Sequence, residues 1–190
     1  LVTTNVPYLG RGNQGELLRH FGSKNHEDAK HDLATIFVDR CLRFARRKGT
    51  VAVVSPQTWH FQPRYENYRR RLLQSKHWQF VARLGGGAFD TIGGEVVKVT
   101  LSALTNLEEK NEDFLAIDVT GESGSFEKSR SLKENVEFHA QSKQLENRDA
   151  RVVLGERSSN PLLRNYADSR WGLRTADSPR FISYYWEREE

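Results

Sequence analysis

Methionine is absent from this 190-residue chain, even at position 1, and cysteine occurs once. One thiol excludes a disulfide framework and any zinc site built on cysteine pairs, and it suits a reducing compartment. Cys41 falls in an apolar helical pattern and is expected in the core. Long hydrophobic runs are also missing. No stretch approaches the roughly 20 apolar residues that cross a bilayer, and there is no signal peptide. A cytoplasmic protein without membrane contact is expected. His20, His26 and His31 lack the i, i+4 spacing of a helical metal site and are expected to be solvated. Neither charge sign dominates: 29 Lys and Arg stand against 25 Asp and Glu, a net charge of +4. That balance permits a polyanionic partner without demanding one. At 37% hydrophobic and 28% charged, the composition is that of a globular protein with a modest core. The length suits one domain, or one domain and part of a second. No internal repeat is present. The chain opens inside a β-branched run with no initiator residue, which predicts a fragment of a longer protein.

What is there begins at that opening. Leu1-Val2-Thr3-Thr4 reads as the end of a buried strand, and Asn5-Val6-Pro7-Tyr8 follows. Proline fixes its own φ and pushes Val6 out of the α region. The loop therefore holds an amide, a free carbonyl and an aromatic face in one arrangement. An exocyclic amino group needs acceptors, and a flat ring needs a stacking surface. Asn5 Oδ1 and the Val6 carbonyl supply the first, Tyr8 the second. An ordinary strand-to-loop turn would read the same way over four residues.

Asn5-Val6-Pro7-Tyr8 resembles the Asn-Pro-Pro-Tyr motif of adenine-specific DNA methyltransferases. Leu9-Gly10-Arg11-Gly12-Asn13-Gln14 looks like the loop that follows it in the large methylases of restriction-modification and BREX-type phage-defence systems. Val6 stands where the first proline is usual; the carbonyl that this proline contributes is retained. The resemblance implies catalytic roles for Asn5, Val6, Pro7 and Tyr8, and substrate-side roles for Arg11 and Asn13.

Further along, Asp32 to Arg47 is an amphipathic helix. Leu33, Ile36, Phe37, Cys41, Phe44 and Ala45 recur at three- and four-residue intervals, Asp32 caps the start, and Gly49 ends it. Arg43, Arg46, Arg47 and Lys48 suit the negative end of that helix, and a DNA patch is the alternative. The preceding stretch, Gly10 to Asp28, reads as a mobile loop with a short helical possibility at Glu16 to Phe21. Val51-Ala52-Val53-Val54 is a continuous apolar run, as in a parallel strand covered on both faces. Pro56 stops it. Trp59, His60 and Phe61 then lie at its carboxyl end, where α/β sheets bind ligands, so Trp59 is a substrate-contact candidate; loop packing is the alternative. Tyr65 to Gln74 is a second helix, similar to the one after the fifth strand of these methylases, with its arginine triplet expected on a solvated face.

Trp78 to Leu84 and Val96 to Leu104 alternate as two strands and pair most simply as a hairpin at one edge. Between them, Gly85-Gly86-Gly87-Ala88-Phe89-Asp90-Thr91-Ile92-Gly93-Gly94 is not a dinucleotide fingerprint, since no helix follows. It is similar to the methylase loop that carries an aromatic beside the extruded base, which here is Phe89. Asn106 to Asp113 is a charged linker, Phe114 to Val119 a short strand candidate, and Val136 to Leu145 a helical possibility. Gly172 to Glu187 resembles the opening of a target-recognition region, with Thr175-Ala176 in place of Thr-Gly.

The fold class expected is α/β: the second half of a Rossmann-like methyltransferase sheet ending in an antiparallel hairpin, with a polar C-terminal extension. Residues 1–105 would be the catalytic half, and residues 106–190 a linker and the start of a target-recognition or accessory region. The resemblance implies S-adenosylmethionine as donor, double-stranded DNA as partner, and base flipping. The glycine loop and acid that hold the donor cannot be placed, which implies a missing N-terminal half of the same enzyme. A catalytically silent DNA- or partner-binding module and a protein-glutamine methyltransferase are the other readings. The long polar continuation past Thr105 favours the DNA enzyme over the latter.

Overall fold

A computed structural model describes residues 1–88, 97–107, 113–134, 136–155 and 166–167. The chain divides into two compact units, Leu1–Glu156 and Arg157–Glu190. Of the second, only Tyr166 and Ala167 are described. The tail segment Gly172 to Glu187 therefore lies outside the described residues.

The first unit is built on one mixed sheet. Its strands are β1 (Val2–Asn5), β2 (Thr50–Pro56), β3 (His77–Gly85), β4 (Val99–Thr105), β5 (Asp113–Asp118) and β6 (Glu137–Ala140), in the spatial order β1-β2-β4-β3-β5-β6. β1 and β2 are parallel, with Asn5 opposite Val54. β4 runs antiparallel to both β2 and β3. β3 is parallel to β5, and β5 antiparallel to β6. It follows that β1, β2, β3 and β5 all point the same way and end on one edge.

Side chains alternate between the two faces of a strand, and the two faces differ here. Val51, Val53, Trp78, Val81, Leu104, Phe114 and Ala116 share one face with the main core. Onto it pack α2 (Leu33–Phe44) through Val38 and Leu42, and α3 (Glu66–Ser75) through Tyr68 and Leu72. Cys41 is buried there, as its pattern indicates. The opposite face is thinner. Ala82, Leu84, Val99, Ile117 and Val119 are buried, while Val54, Phe80, Leu101 and Leu115 are half-buried, and Leu132 packs on them just beyond the short helix α4 (Ser125–Ser131).

Several expectations change. The covered-on-both-faces reading of Val51–Val54 holds for one face only, because Ala52 and Val54 stay half-exposed. β1 is a half-exposed strand at the border of the described sheet, flanked by β2 alone. The β3–β4 hairpin forms but is not at an edge. A terminal β3 would leave a row of ladder groups unpaired, and β5 and β6 supply the partners. The mobile-loop stretch contains a full helix, α1 (Glu16–Asn25). Val136 to Leu145 splits into β6 and a short helix, α5 (Gln141–Gln144), in place of one helix.

One charge cluster around a buried carboxylate replaces the solvated features expected of His26 and of Arg71 in the arginine triplet. Asp39 is 2% exposed. Its carboxylate lies 2.7 Å from His26 Nδ1, accepts from Arg71 at 2.8 Å and forms an ion pair with Arg43 at 2.9 Å. Arg71 also reaches Asp28 at 3.2 Å. Burial by itself raises the pKa of Asp39, but the bonds from His26 and Arg71 outweigh it and hold the carboxyl below its usual range. An acid depressed in the folded state adds stability above its unfolded pKa of roughly 3.9, and that stability is lost as pH falls through the folded value. Asp39→Asn should cost about 3 kcal/mol at pH 7. Urea unfolding at pH 7 and pH 3 should then show a smaller acid-induced loss than in the parent; an equal loss would remove Asp39 from the acid transition.

Candidate active site

Strand β1 delivers Asn5 to the edge where the parallel strands end, with its residue exposed. The next residue anchors the turn. Val6 is 3% exposed, its side chain in the main core. Its N–H donates to the Val54 carbonyl at 3.2 Å, which carries the β1–β2 ladder one residue past Asn5. Pro7 turns the chain outward. Tyr8 is 36% exposed, and its hydroxyl donates to Asn5 Oδ1 at 3.3 Å. Burial, and secondarily Asp32, raise the Tyr8 pKa, so the hydroxyl keeps the proton it donates.

The rest of the loop is stitched to the start of α2. Asp32 Oδ1 accepts from Ala34 N at 2.8 Å as the helix cap and from Leu9 N at 3.3 Å. Leu33 N donates to the Leu9 carbonyl at 3.0 Å, and buried Gln14 donates to the same oxygen through Nε2 at 3.0 Å. Arg11 N reaches the His31 carbonyl at 3.0 Å. Sequence reasoning assigns Asp32 its cap but misses its hold on the loop, and it names Gln14 only as part of the resembling loop, without its bond to Leu9. No pattern links residues so far apart before the chain is folded.

The other candidates separate. Arg11 is a brace: its guanidinium donates to Ser23 Oγ at 3.0 Å and to the Lys30 carbonyl at 3.4 Å. Asn13 is exposed at the end of the Arg11–Asn13 turn, its N–H on the Gly10 carbonyl. Trp59 is a core residue rather than a substrate contact. It is 1% exposed, its indole N–H donates to Ser55 Oγ at 3.0 Å, and its ring meets His60, Tyr68 and Trp78. Continuation of β2 into a tight turn folds it back under the sheet edge, leaving Phe61 at the surface cleft instead. Phe89 lies outside the described residues.

Chemically, the loop offers an exposed amide oxygen, one of its lone pairs already oriented by Tyr8, beside a partly exposed ring. An open apolar groove of about 440 Å³ begins at Asn5 and runs along Val54, Phe80 and Leu101. Among the described residues no cluster of three acidic, histidine or cysteine ligands could hold a metal, and no helix is long and apolar enough to cross a membrane.

A donor cradle is a different matter. Gly85, at φ +68°, is the glycine at a strand end, and a Cβ there would meet Thr120 at 3.2 Å. Its smallness serves packing against the β5 turn, not the close approach of a ligand. Asp118, the acid ending β5, is bound by Thr120 N and Oγ1 at 3.0 and 2.6 Å. Neither Gly85 nor Asp118 therefore fits the glycine and the acid that would hold S-adenosylmethionine. The isolated chain should not bind that donor measurably; calorimetry showing micromolar binding would mean that residues described as loop build the site.

A mixed sheet that presents an asparagine and a tyrosine at the end of a parallel strand is the arrangement that the Asn-Pro-Pro-Tyr resemblance implies. Residues 1–89 match the Eco57I restriction-modification methylase family. Over 106 residues the chain is 37% identical to adenine-specific methyltransferase BrxX of Escherichia coli O9:H4 (strain HS), covering 55% of this chain and 9% of that protein. It is 32% identical over 102 residues to adenine-specific methyltransferase PglX of Lacticaseibacillus casei (strain Zhang), covering 53% and 8%. The chain thus spans less than a tenth of these relatives. Its fold is similar to that of the Type ISP restriction-modification enzyme LlaGI, solved as a nuclease-deletion mutant in complex with a DNA substrate mimic. The TM-score is 0.54 at 14% identity, over 73% of this chain and 16% of that one.

Proposed function

We propose that this chain supplies the amine-holding half of an enzyme that methylates the exocyclic amino group of adenine in DNA, in restriction-modification or phage defence. The observation that carries the reading is the exposed Asn5 side chain at the carboxyl end of a parallel strand, in a loop fixed on both sides by Val54 and Asp32. A base inside a duplex is out of reach, so it must be flipped into a pocket at a cost of a few kcal/mol. Asn5 Oδ1 and the Val6 carbonyl would accept from the adenine amino group, and Tyr8 would stack on the ring. Both acceptors pull on N–H bonds, which turns the nitrogen lone pair outward. No strong base is needed; orientation does the work. S-adenosylmethionine, held elsewhere in the enzyme by an N-terminal half, supplies the electrophilic methyl group. A DNA substrate agrees with the cytoplasmic location expected from the sequence.

The test is transfer of labelled methyl to duplex DNA by the longer protein that contains this chain, followed by nucleoside analysis. Label in N6-methyladenine supports the reading. DNA binding without transfer would leave a silent binding module, and label on a glutamine amide of a protein would make this a glutamine methyltransferase.

A further inference from the structure

A second cleft lies on the sheet edge that carries Asn5. Gln57 follows β2, Lys98 precedes β4, Gly85 and Gly86 close β3, and Asp118 and Thr120 end β5; together with Phe61 they surround a cavity of about 200 Å³. Neighbouring strands stand about 4.8 Å apart. Three strand steps separate β1 from β3, so the cleft lies roughly 5–15 Å from Asn5 along the edge.

Its charge is unbalanced. Arg83 and exposed Lys98 face it, with Asp118 as the acid in its lining. Asp118 spends Oδ1 on Thr120, and its Oδ2 stands 3.8 Å from Arg83 Nη1, at the limit of an ion pair. Arg83 is mostly buried, with 16% of its side chain exposed. Nη2 donates to the Val152 carbonyl, while Nε is buried without a partner among the described residues. A guanidinium taken from water needs anions and acceptors to offset its desolvation, and burial lowers the pKa of Arg83 despite Asp118. The site is short of negative charge. Gln57 Oε1, a buried acceptor without a partner among the described residues, does not suit an anion and is not assigned to it.

An adenine held at Asn5 stays bonded to its strand, whose phosphates follow one another at about 3.4 Å of helix rise. We propose that the Arg83–Lys98 cleft binds a backbone phosphodiester of the target strand, within about three nucleotides of the extruded base. This rests on the DNA reading above and adds to it a phosphate contact that fixes the strand while the base is held. Such a contact positions and carries no sequence information.

The experiment uses the intact protein and a duplex containing one target adenine, with an adenine-free duplex beside it. Lys98→Gln alters an exposed side chain and should leave the melting temperature unchanged. Its DNA affinity should fall several-fold at low salt, equally on both duplexes, and the slope of log K against log salt should drop by about one. Arg83→Gln, checked by thermal melting, should do the same. Asp118→Asn removes a repelling charge and should bind more tightly. A methylphosphonate walked along the target strand should weaken the parent at one position near the adenine and weaken Lys98→Gln less at that position, where Arg83 alone still faces the phosphate. An unchanged slope in Lys98→Gln, or additive losses at every methylphosphonate position, overturns the proposal. Methylation with no such coupling removes the cleft and leaves the enzyme; coupling without methylation removes the enzyme and leaves the cleft.

Discussion

Replacing Asn5 by alanine in the intact enzyme should cut single-turnover methylation by roughly 30- to 1000-fold while DNA affinity changes little. The loss corresponds to about 2–4 kcal/mol, the scale of removing one preorganised hydrogen-bonding group that acts on the transition state. Affinity comes mostly from phosphate contacts, which Asn5 does not make in this reading. The variant should fold, because the Asn5 side chain is exposed and the anchor is Val6. Tyr8→Ala should act on a different quantity, weakening capture of the flipped base by about 1–3 kcal/mol of stacking. The sequence alone suggests that Tyr8→Phe is silent, since only the ring face would matter. The bond from the hydroxyl to Asn5 changes that: the phenylalanine variant keeps the stacking surface and should lose about 1 kcal/mol of amide orientation. Methylation by Asn5→Ala at the parent rate would mean that the amine is held elsewhere.

Val6→Pro reverses another expectation. Restoring the usual proline looks harmless on the motif, because the carbonyl remains. Here the Val6 N–H bonds the Val54 carbonyl at 3.2 Å. Proline removes that donor, so a cost of about 1 kcal/mol is expected in place of neutrality.

The largest stability effect should come from Arg69→Leu, at about 3–5 kcal/mol, or on the order of 10 °C in melting temperature. Arg69 is 0% exposed. It donates to the carbonyls of Trp59 at 2.7 Å, Gln62 at 2.8 Å, Asp149 at 2.7 and 3.2 Å, and Ala150 at 3.2 Å. Burial lowers its pKa to about 10, which leaves it charged at neutral pH. Those bonds fasten the turn after β2 to the segment near Asp149, where Asp149 and Ala150 take φ of 55° and 49°. Leucine would bury the carbonyls without donors, and Arg69→Lys should not rescue, because a compact ammonium cannot span the fork. Arg70→Leu is the control. Arg70 pairs with Glu66 on the surface of the same helix at 2.8 Å, and its loss should stay within about 0.5 kcal/mol. Equal effects at the two positions would return the arginine triplet to a solvated face.

By itself the sequence determined the local pieces. The β-branched run and the apolar period of Leu33 to Phe44, with its Asp32 cap, mark β1 and α2 because periodicity and capping act over a few residues. The hairpin partners were legible too, and the Asn5 to Tyr8 motif marked the loop on which the proposed function rests. The tertiary structure decided everything that depends on contacts between distant residues. Trp59 became core because the chain turns back beneath the sheet edge. Three successive arginines went to different places, Arg69 to backbone carbonyls, Arg70 to the surface and Arg71 to Asp39, because a helix points consecutive residues about 100° apart and only packing fixes which face is inside. The hairpin moved to the middle of the sheet because β5, a weak strand on its own, supplies the ladder that β3 would otherwise lack. The Arg83–Lys98 cleft is of the same kind: its residues come from four separate strand ends, and only closure of the sheet brings their charges together.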